Sequence, residues 1–367
     1  MPRPGDQFPQ DTRFPEIQRP IFLSGKVMLN DGNPPPEPVL IERVCNGQPR
    51  GEGYTDSKGR FSFQLGQNQT VLQDASVAGG IDPTFDRQSP FGGSRSGGMG
   101  TGRGDQISER DLIGCEIRAV LPGFRSDLVN LSGRRAFDNP DVGTIVLHRL
   151  ANVEGLTISF TAMNAPKDAK KAFERGHKDL MKKPDKALAE YQKAVQIYPQ
   201  YSSAWFEMGL VHQSQNRIPE AREAYAKALE ADPKFINPYR QLALIELQEQ
   251  QWQALADTTD RLVKLNPVDY ADAYFYNSIA NYYLKRYDAA ERSARETVKL
   301  DTLSRIPKAN QLLGEILIEK GDYSAAADSL KAYLKFLPAG HEDTANTTKR
   351  LRALEQVLGA REQAATP

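Results

Sequence analysis

Hydrophobic and polar positions follow two different periods in the two halves of the chain. From Ile21 to about residue 150 they alternate in short runs. Leu23, Gly25, Val27 and Leu29 interleave with Ser24, Lys26 and Met28. A second run starts at Val39 and ends at Cys45. Phe61, Phe63 and Leu65 interleave with Ser62 and Gln64, and Ile113, Cys115, Ile117 and Ala119 with Gly114, Glu116 and Arg118. Further runs lie at 128–131 and 142–147. A period of two places alternate side chains on one face of a strand. Turn clusters such as Asn30-Asp31-Gly32-Asn33 and Asp56-Ser57-Lys58-Gly59 separate the runs. Six or seven short strands with such punctuation predict an all-β sandwich of the transthyretin or immunoglobulin type over 21–150.

After residue 168 the period becomes helical. Pro199, Pro233 and Pro267 are spaced 34 residues apart, and each closes an apolar helical pattern. The clearest copy runs from Ser202 to Lys234, with Trp205, Met208, Gly209, Ala221, Tyr225, Ala228 and Pro233. Trp205, Met208 and Gly209 share one helix face. Gly209 and Ala221 let two helices approach closely, and Pro233, without an N–H, stops the second. One hairpin cannot bury its apolar face alone, so copies must stack. Five are predicted, over about 168–200, 202–235, 236–269, 272–302 and 307–340, with a capping helix and tail in 341–367.

The copies are uneven. The first and fourth read as one residue short in their turns, and the fourth reads Tyr276, Ile279, Ala280 and Tyr283 as its first-helix signature. The third has Leu255, Thr259 and Leu262 where a small, an aromatic and a small residue are expected, which predicts wider packing or a local shift filled by Trp252. Residues 151–167 carry neither period and read as a linker, although Leu156–Phe160 could form a strand. Residues 1–20, with five prolines, read as an extended tail, and 76–108 as a flexible insertion, with seven glycines among the thirteen residues from Gly92 to Gly104.

The W-x2-M-G and A-x3-Y-x2-A-x4-P spacing resembles the tetratricopeptide repeat. The string Ser24-Gly25-Lys26-Val27, the turn at Asp31-Gly32 and the run Gly53 to Leu65 resemble the carboxypeptidase regulatory-like domain, as does Leu121-Pro122-Gly123-Phe124. That second resemblance implies a non-catalytic sandwich common in exported bacterial proteins. Cys45 and Cys115 both fall at inward strand positions. A disulfide across the sheets suits an exported sandwich; two free buried thiols are the alternative.

Charge and composition narrow the functional classes. Lys plus Arg and Asp plus Glu number 47 each, so the net charge is zero and a basic field for nucleic acid is not expected. No run of apolar residues is long enough for a membrane span. The polar start shows no secretory signal, but the carboxypeptidase-like resemblance and the cysteine pair favour a periplasmic, cell-surface or extracellular location over the cytoplasm, with a processed segment before Met1. The four histidines are scattered, the cysteines form no C-x-x-C, and no phosphate loop or nucleophile elbow is present. Neither catalysis nor a cofactor or metal is expected.

The tetratricopeptide resemblance implies a groove lined by the first helices. It carries that role onto Phe206, Leu210 and Gln213 in the second repeat and Asn237, Arg240 and Leu244 in the third. In the fourth and fifth it points to Asn277, Asn281 and Lys285, and to Lys308, Gln311 and Glu315. This lining mixes apolar and amide groups without a dominant charge. Leu244 stands where a chaperone-tail clamp would need Asn, so capture of a C-terminal carboxylate is not expected. The expected function is a partner-binding scaffold for a protein or peptide. A self-assembling filament subunit using the tail and the solenoid ends is the alternative, and carbohydrate or cell-wall binding by the sandwich a weaker one.

Overall fold

A computed structural model describes residues 20–35, 38–66, 107, 109–180, 182–302, 304–337 and 341–365. The proline-rich tail, Pro20 excepted, and the Gly-rich insertion, Ile107 excepted, lie outside the described residues. Chain contacts divide the protein into a unit carrying most of the sheet residues and a unit carrying the helices; the latter takes in Leu121–Arg125 and everything from His148 onward.

The described residues form eight strands: β1 (Phe22–Leu29), β2 (Leu40–Cys45), β3 (Gln48–Tyr54), β4 (Arg60–Gln64), β5 (Cys115–Val120), β6 (Phe124–Ser126), β7 (Leu128–Asn130) and β8 (Asp141–Arg149). They form two four-stranded sheets, ordered β4-β1-β8-β6 and β3-β2-β5-β7. β1 pairs antiparallel with β4 and parallel with β8, while β2 lies antiparallel between β3 and β5. Leu23, Val27, Ile145 and Leu147 of the first sheet and Ile41, Ile117 and Ala119 of the second are buried, as the alternation predicts. Ile113 departs from it: Gly114, at φ +72°, turns the chain just before β5 and leaves Ile113 exposed.

Strand β3 is invisible to the hydropathy pattern because its one buried residue is a carboxylate. Glu52 is fully buried; Arg43 Nε donates to its Oε1 at 2.8 Å and the Gly66 N–H to its Oε2 at 3.1 Å. Two oxygens with two donors meet the requirement on a desolvated charge. Cys45 and Cys115 are bonded, but not across the sheets. They are register partners on the adjacent strands β2 and β5, so the bridge lies within one sheet.

The helical unit opens with a short helix, α1 (Phe160–Asn164). Leu156 makes one isolated bridge to Phe235, and no strand forms over 156–160. Five antiparallel hairpins follow: α2 (Lys167–Asp179) with α3 (Pro184–Ile197), α4 (Ser202–Ser214) with α5 (Ile218–Ala231), α6 (Ile236–Gln248) with α7 (Trp252–Leu265), α8 (Ala271–Tyr283) with α9 (Tyr287–Leu300), and α10 (Lys308–Glu319) with α11 (Tyr323–Phe336). α12 (Glu342–Ala365) packs Leu351 and Leu354 against the last hairpins.

The first helix of repeats two to five ends on a residue in the left-handed region: Asn216, Gln250, Lys285 and Gly321, with φ of 58°, 56°, 58° and 79°. These residues set a common register. Seven positions before each stand Gly209, Ala243, Ser278 and Gly314. In repeat four the small contact position is therefore Ser278, not Ala280, and its turn is as long as those of its neighbours. The added residue lies in the preceding loop, 266–270, which is longer than loop 232–235. The third repeat keeps the common turn length, and Trp252 stacks on Tyr283 of the next hairpin, with ring centroids 4.2 Å apart and planes 11° apart.

At Gly209 a Cβ would lie 2.3 and 2.5 Å from carbons of the Tyr225 ring; at Gly176 it would meet Tyr191 at 2.6 Å, and at Gly314 Leu330 at 2.7 Å. Gly209→Ala should therefore lower stability, because overpacking costs about 1–3 kcal/mol whereas the better helix propensity returns only about 1 kcal/mol. The same change made together with Tyr225→Ala should be neutral or stabilising. Urea unfolding of the four proteins measures this; an equal effect of Gly209→Ala in both backgrounds would contradict the contact.

Candidate functional site

The common register sorts the first-helix residues into rows. One row is Phe206, Arg240, Phe275 and Gln311; the next is Leu210, Leu244, Ile279 and Glu315; a third is Gln213, Leu247, Tyr282 and Ile318. The predicted groove residues distribute unevenly over these rows and over the core.

Phe206 is core. It is buried, with Tyr225 at 5.8 Å and Phe235 edge-on at 5.4 Å. Leu210 and Leu244 are half-buried and keep apolar surface on the first-helix face. Gln213 is also half-buried and accepts the Tyr225 hydroxyl at 2.5 Å. Asn237 donates to the Thr157 carbonyl at 3.3 Å. Arg240 is fixed by Asp272, Nη2 to Oδ2 at 3.0 Å, and its guanidinium lies 5.2 Å from the Tyr270 ring centroid. Lys308 is half-buried and Lys285 exposed. Gln311 and Glu315 are buried, and Glu315 pairs with Arg350 of α12.

Asn277 and Asn281 are corrected by the structure: both are buried and neither offers its amide to a ligand. Asn277 Nδ2 donates to Asp260 Oδ1 (2.8 Å) and Thr259 Oγ1 (3.0 Å), and Asn277 Oδ1 accepts from Ser293 Oγ (2.7 Å) and Asn281 Nδ2 (3.0 Å). The misplacement follows from the register of repeat four. With Ser278 at the small position, Asn277 matches Met208 and Asn281 matches His212, both turned toward the second helices. Asp272 and Tyr282 are the side chains of α8 that belong with the exposed face. The aromatic residues opening the second helices, Trp252, Tyr287 and Tyr323, carry the signal that finds them, because counting back from Tyr287 gives the register.

The row holding His212 and Asn281, turned toward the second helices, also holds Glu246, whose carboxyl is perturbed. Glu246 is buried between α5 and α7. Its Oε1 accepts from Thr258 Oγ1 at 3.1 Å and lies 3.9 Å from Arg222 Nη1, and its Oε2 has no partner among the described residues. Burial pushes the carboxyl up from its ordinary 4.5 to about 6, against the pull of Thr258 and Arg222. His212 shifts the other way: burial, with the Arg217 charge, lowers its imidazole. Among the described residues no group of three or more His, Cys, Asp or Glu is placed to hold a metal ion, and no described helix is long and apolar enough to cross a membrane.

Residues 180–251 and 278–341 match the tetratricopeptide repeat family, and the helices there stack as a solenoid of hairpins. Over 352 residues the chain is 28% identical to the Protein CTR9 homolog of Arabidopsis thaliana; the match takes in 85% of this chain and 31% of that protein, so the chain spans about a third of the relative's length. Among solved structures, it resembles MamA (residues 41 to the end) from Desulfovibrio magneticus RS-1 at 18% identity, covering 47% of this chain and 96% of that one, with a TM-score of 0.40. It also resembles YrrB, described as a TPR protein with an unusual peptide-binding site, at 21% identity over 53% and 99% of the two chains, with a TM-score of 0.44.

Glu246 makes stability depend on pH in a defined direction. Below about pH 4.5 it is neutral in both the folded and the unfolded chain. As pH rises through about 6 the folded protein must hold a desolvated charge that the unfolded chain holds in water, so folded stability falls, by about 2 kcal/mol in total. Glu246→Gln should remove this loss and be the more stable protein at pH 7.5, with little difference at pH 4.5. Urea midpoints at the two pH values check it; a variant less stable than the parent at pH 7.5 would refute it.

Proposed function

We propose that this protein is a non-catalytic scaffold that holds a partner protein or peptide on the first-helix face of its repeat array. The observation carrying this reading is a set of half-buried apolar side chains drawn from two neighbouring rows, Leu210 and Leu244 from one and Tyr282 and Ile318 from the next, beside the Arg240–Asp272 pair. Each retains surface that a ligand could desolvate. Arg240 is held in place by its carboxylate partner and by Tyr270, so its remaining donors are preorganised for an acceptor on the ligand. The face therefore favours an extended segment with apolar side chains and a main-chain or carboxylate acceptor, read by shape and hydrogen bonds rather than by bulk charge.

The reading extends to location. The protein works outside the cytosol, with the sheet unit serving as a carboxypeptidase regulatory-like spacer for the repeats. The Cys45–Cys115 bridge supports this, since such bonds persist in oxidising compartments.

Leu210→Asp combined with Leu244→Asp should weaken binding of a partner purified from the native source at least tenfold, about 1.4 kcal/mol. Val298→Asp, on the exposed side of α9, should leave it unchanged. Titration calorimetry reads both, with circular dichroism to confirm folding, and equal affinities throughout would remove the first-helix face as the site. For location, thiols blocked in intact source cells before reduction should leave Cys45 and Cys115 unlabelled. Labelling of both would contradict export while leaving the scaffold reading intact.

A further inference from the structure

Residues 153–161, read from sequence as part of a linker, are bound along the repeat array like a ligand. The segment crosses three successive inter-repeat loops. At the loop after α7, the N–H groups of Glu154 and Gly155 both donate to the Leu265 carbonyl at 2.9 Å. At the loop after α5, Leu156 N–H donates to the Lys234 carbonyl (3.2 Å) and the Leu156 carbonyl accepts from Ile236 N–H (3.0 Å), a parallel bridge like one rung of a sheet. Asp232 Oδ2 then accepts both Ser159 Oγ (2.8 Å) and Phe160 N–H (2.9 Å), which anchors the start of α1. At the loop after α3, Ser202 N–H donates to Thr161 Oγ1 at 3.2 Å.

The fit is steric as well as polar. Val153, Gly155, Leu156 and Ser159 are buried. A Cβ on Gly155 would lie 2.6 Å from Ile236 Cδ1 and 2.8 Å from Leu265 Cβ, so only glycine lets the backbone reach the Leu265 carbonyl. Among the described residues none occupies the next loop, after α9, in this way: Asp301, in the place of Asp232, accepts Arg305 N–H (2.9 Å) and Ile306 N–H (2.6 Å) of its own loop.

We infer that this segment is a built-in strap that fastens repeats one to four together along one edge and leaves the pairing of repeats four and five, which it does not bond, as the place where the array bends. Nearest-neighbour coupling alone would let each junction open independently. A strap bonded at three junctions makes them open together, because freeing one strains the bonds to the others. It also fills the loop edge at those repeats, so that partners must use another face. This inference stands independently of the partner-binding proposal.

Hydrogen exchange on the full chain tests it. Gly155→Val should speed exchange of the Ile236, Ser202 and Phe160 amides at least tenfold, with less than a twofold change at Leu313 and Ile316 of α10. Ser159→Ala, which adds no bulk, should act in the same direction by at least threefold at Phe160 and Ser202, and decides the matter should Gly155→Val fail to fold. Unchanged exchange at Ser202 and Ile236, or an equal acceleration through α10, would overturn the strap.

Discussion

The repeat array rests on one clearance, the space between a small residue in each first helix and the side chain that faces it from the second. In repeats one and two the small residue is glycine and the facing group a tyrosine ring; in repeat five glycine faces Leu330. The same places hold Ala243 and Thr259 in repeat three, and Ser278 and Ala294 in repeat four. Volume is traded across the contact: where the first helix carries more, the second carries less. That trade keeps the helices close enough to bury a continuous core without a fixed residue pair. It also explains why the third repeat departs from the pattern without losing its register.

Polar groups enter where that trade leaves room. Thr259 fits where a tyrosine stands in repeat two, and its hydroxyl is returned to the Leu255 carbonyl and met by Asn277. Asn277 in turn gathers Asp260, Ser293 and Asn281. A connected network of this kind costs little when every member finds a partner. Glu246, in the equivalent row, is only half satisfied: Thr258 meets its Oε1 while its Oε2 has no partner among the described residues, and burial raises its carboxyl above the ordinary range. The amides that look most like ligand-reading groups in the sequence are structural, and the surface left for a partner is more apolar than the composition of the first helices implies.

Much of the architecture was legible. Prolines at a 34-residue spacing and the Trp205–Gly209 and Ala221–Pro233 signatures mark hairpins that form where expected. Alternation located six of the described strands; it missed β3 because its inward residue is Glu52, and it also missed the three-residue β6. The site was less legible. Tyr276, Ile279 and Ala280 imitate the first-helix signature two residues out of register, which placed Asn277 and Asn281 on the wrong face. Hydropathy cannot separate Ser278 from Ala280 as the small position; the left-handed residue Lys285 does. Residues 153–161 carry no period because main-chain groups, which every sequence shares, hold much of the segment.

The in-sheet cysteine bridge has a topological side. It joins residues 70 apart, so β2 through β5 form one covalent ring that contains the whole of 67–106. A protease that cuts once inside that ring produces no separate fragments while the bridge is intact. The two pieces stay joined at adjacent strands, still in register, and come apart only when the disulfide is reduced. For this protein, a single band on a non-reducing gel is not evidence of an uncut chain.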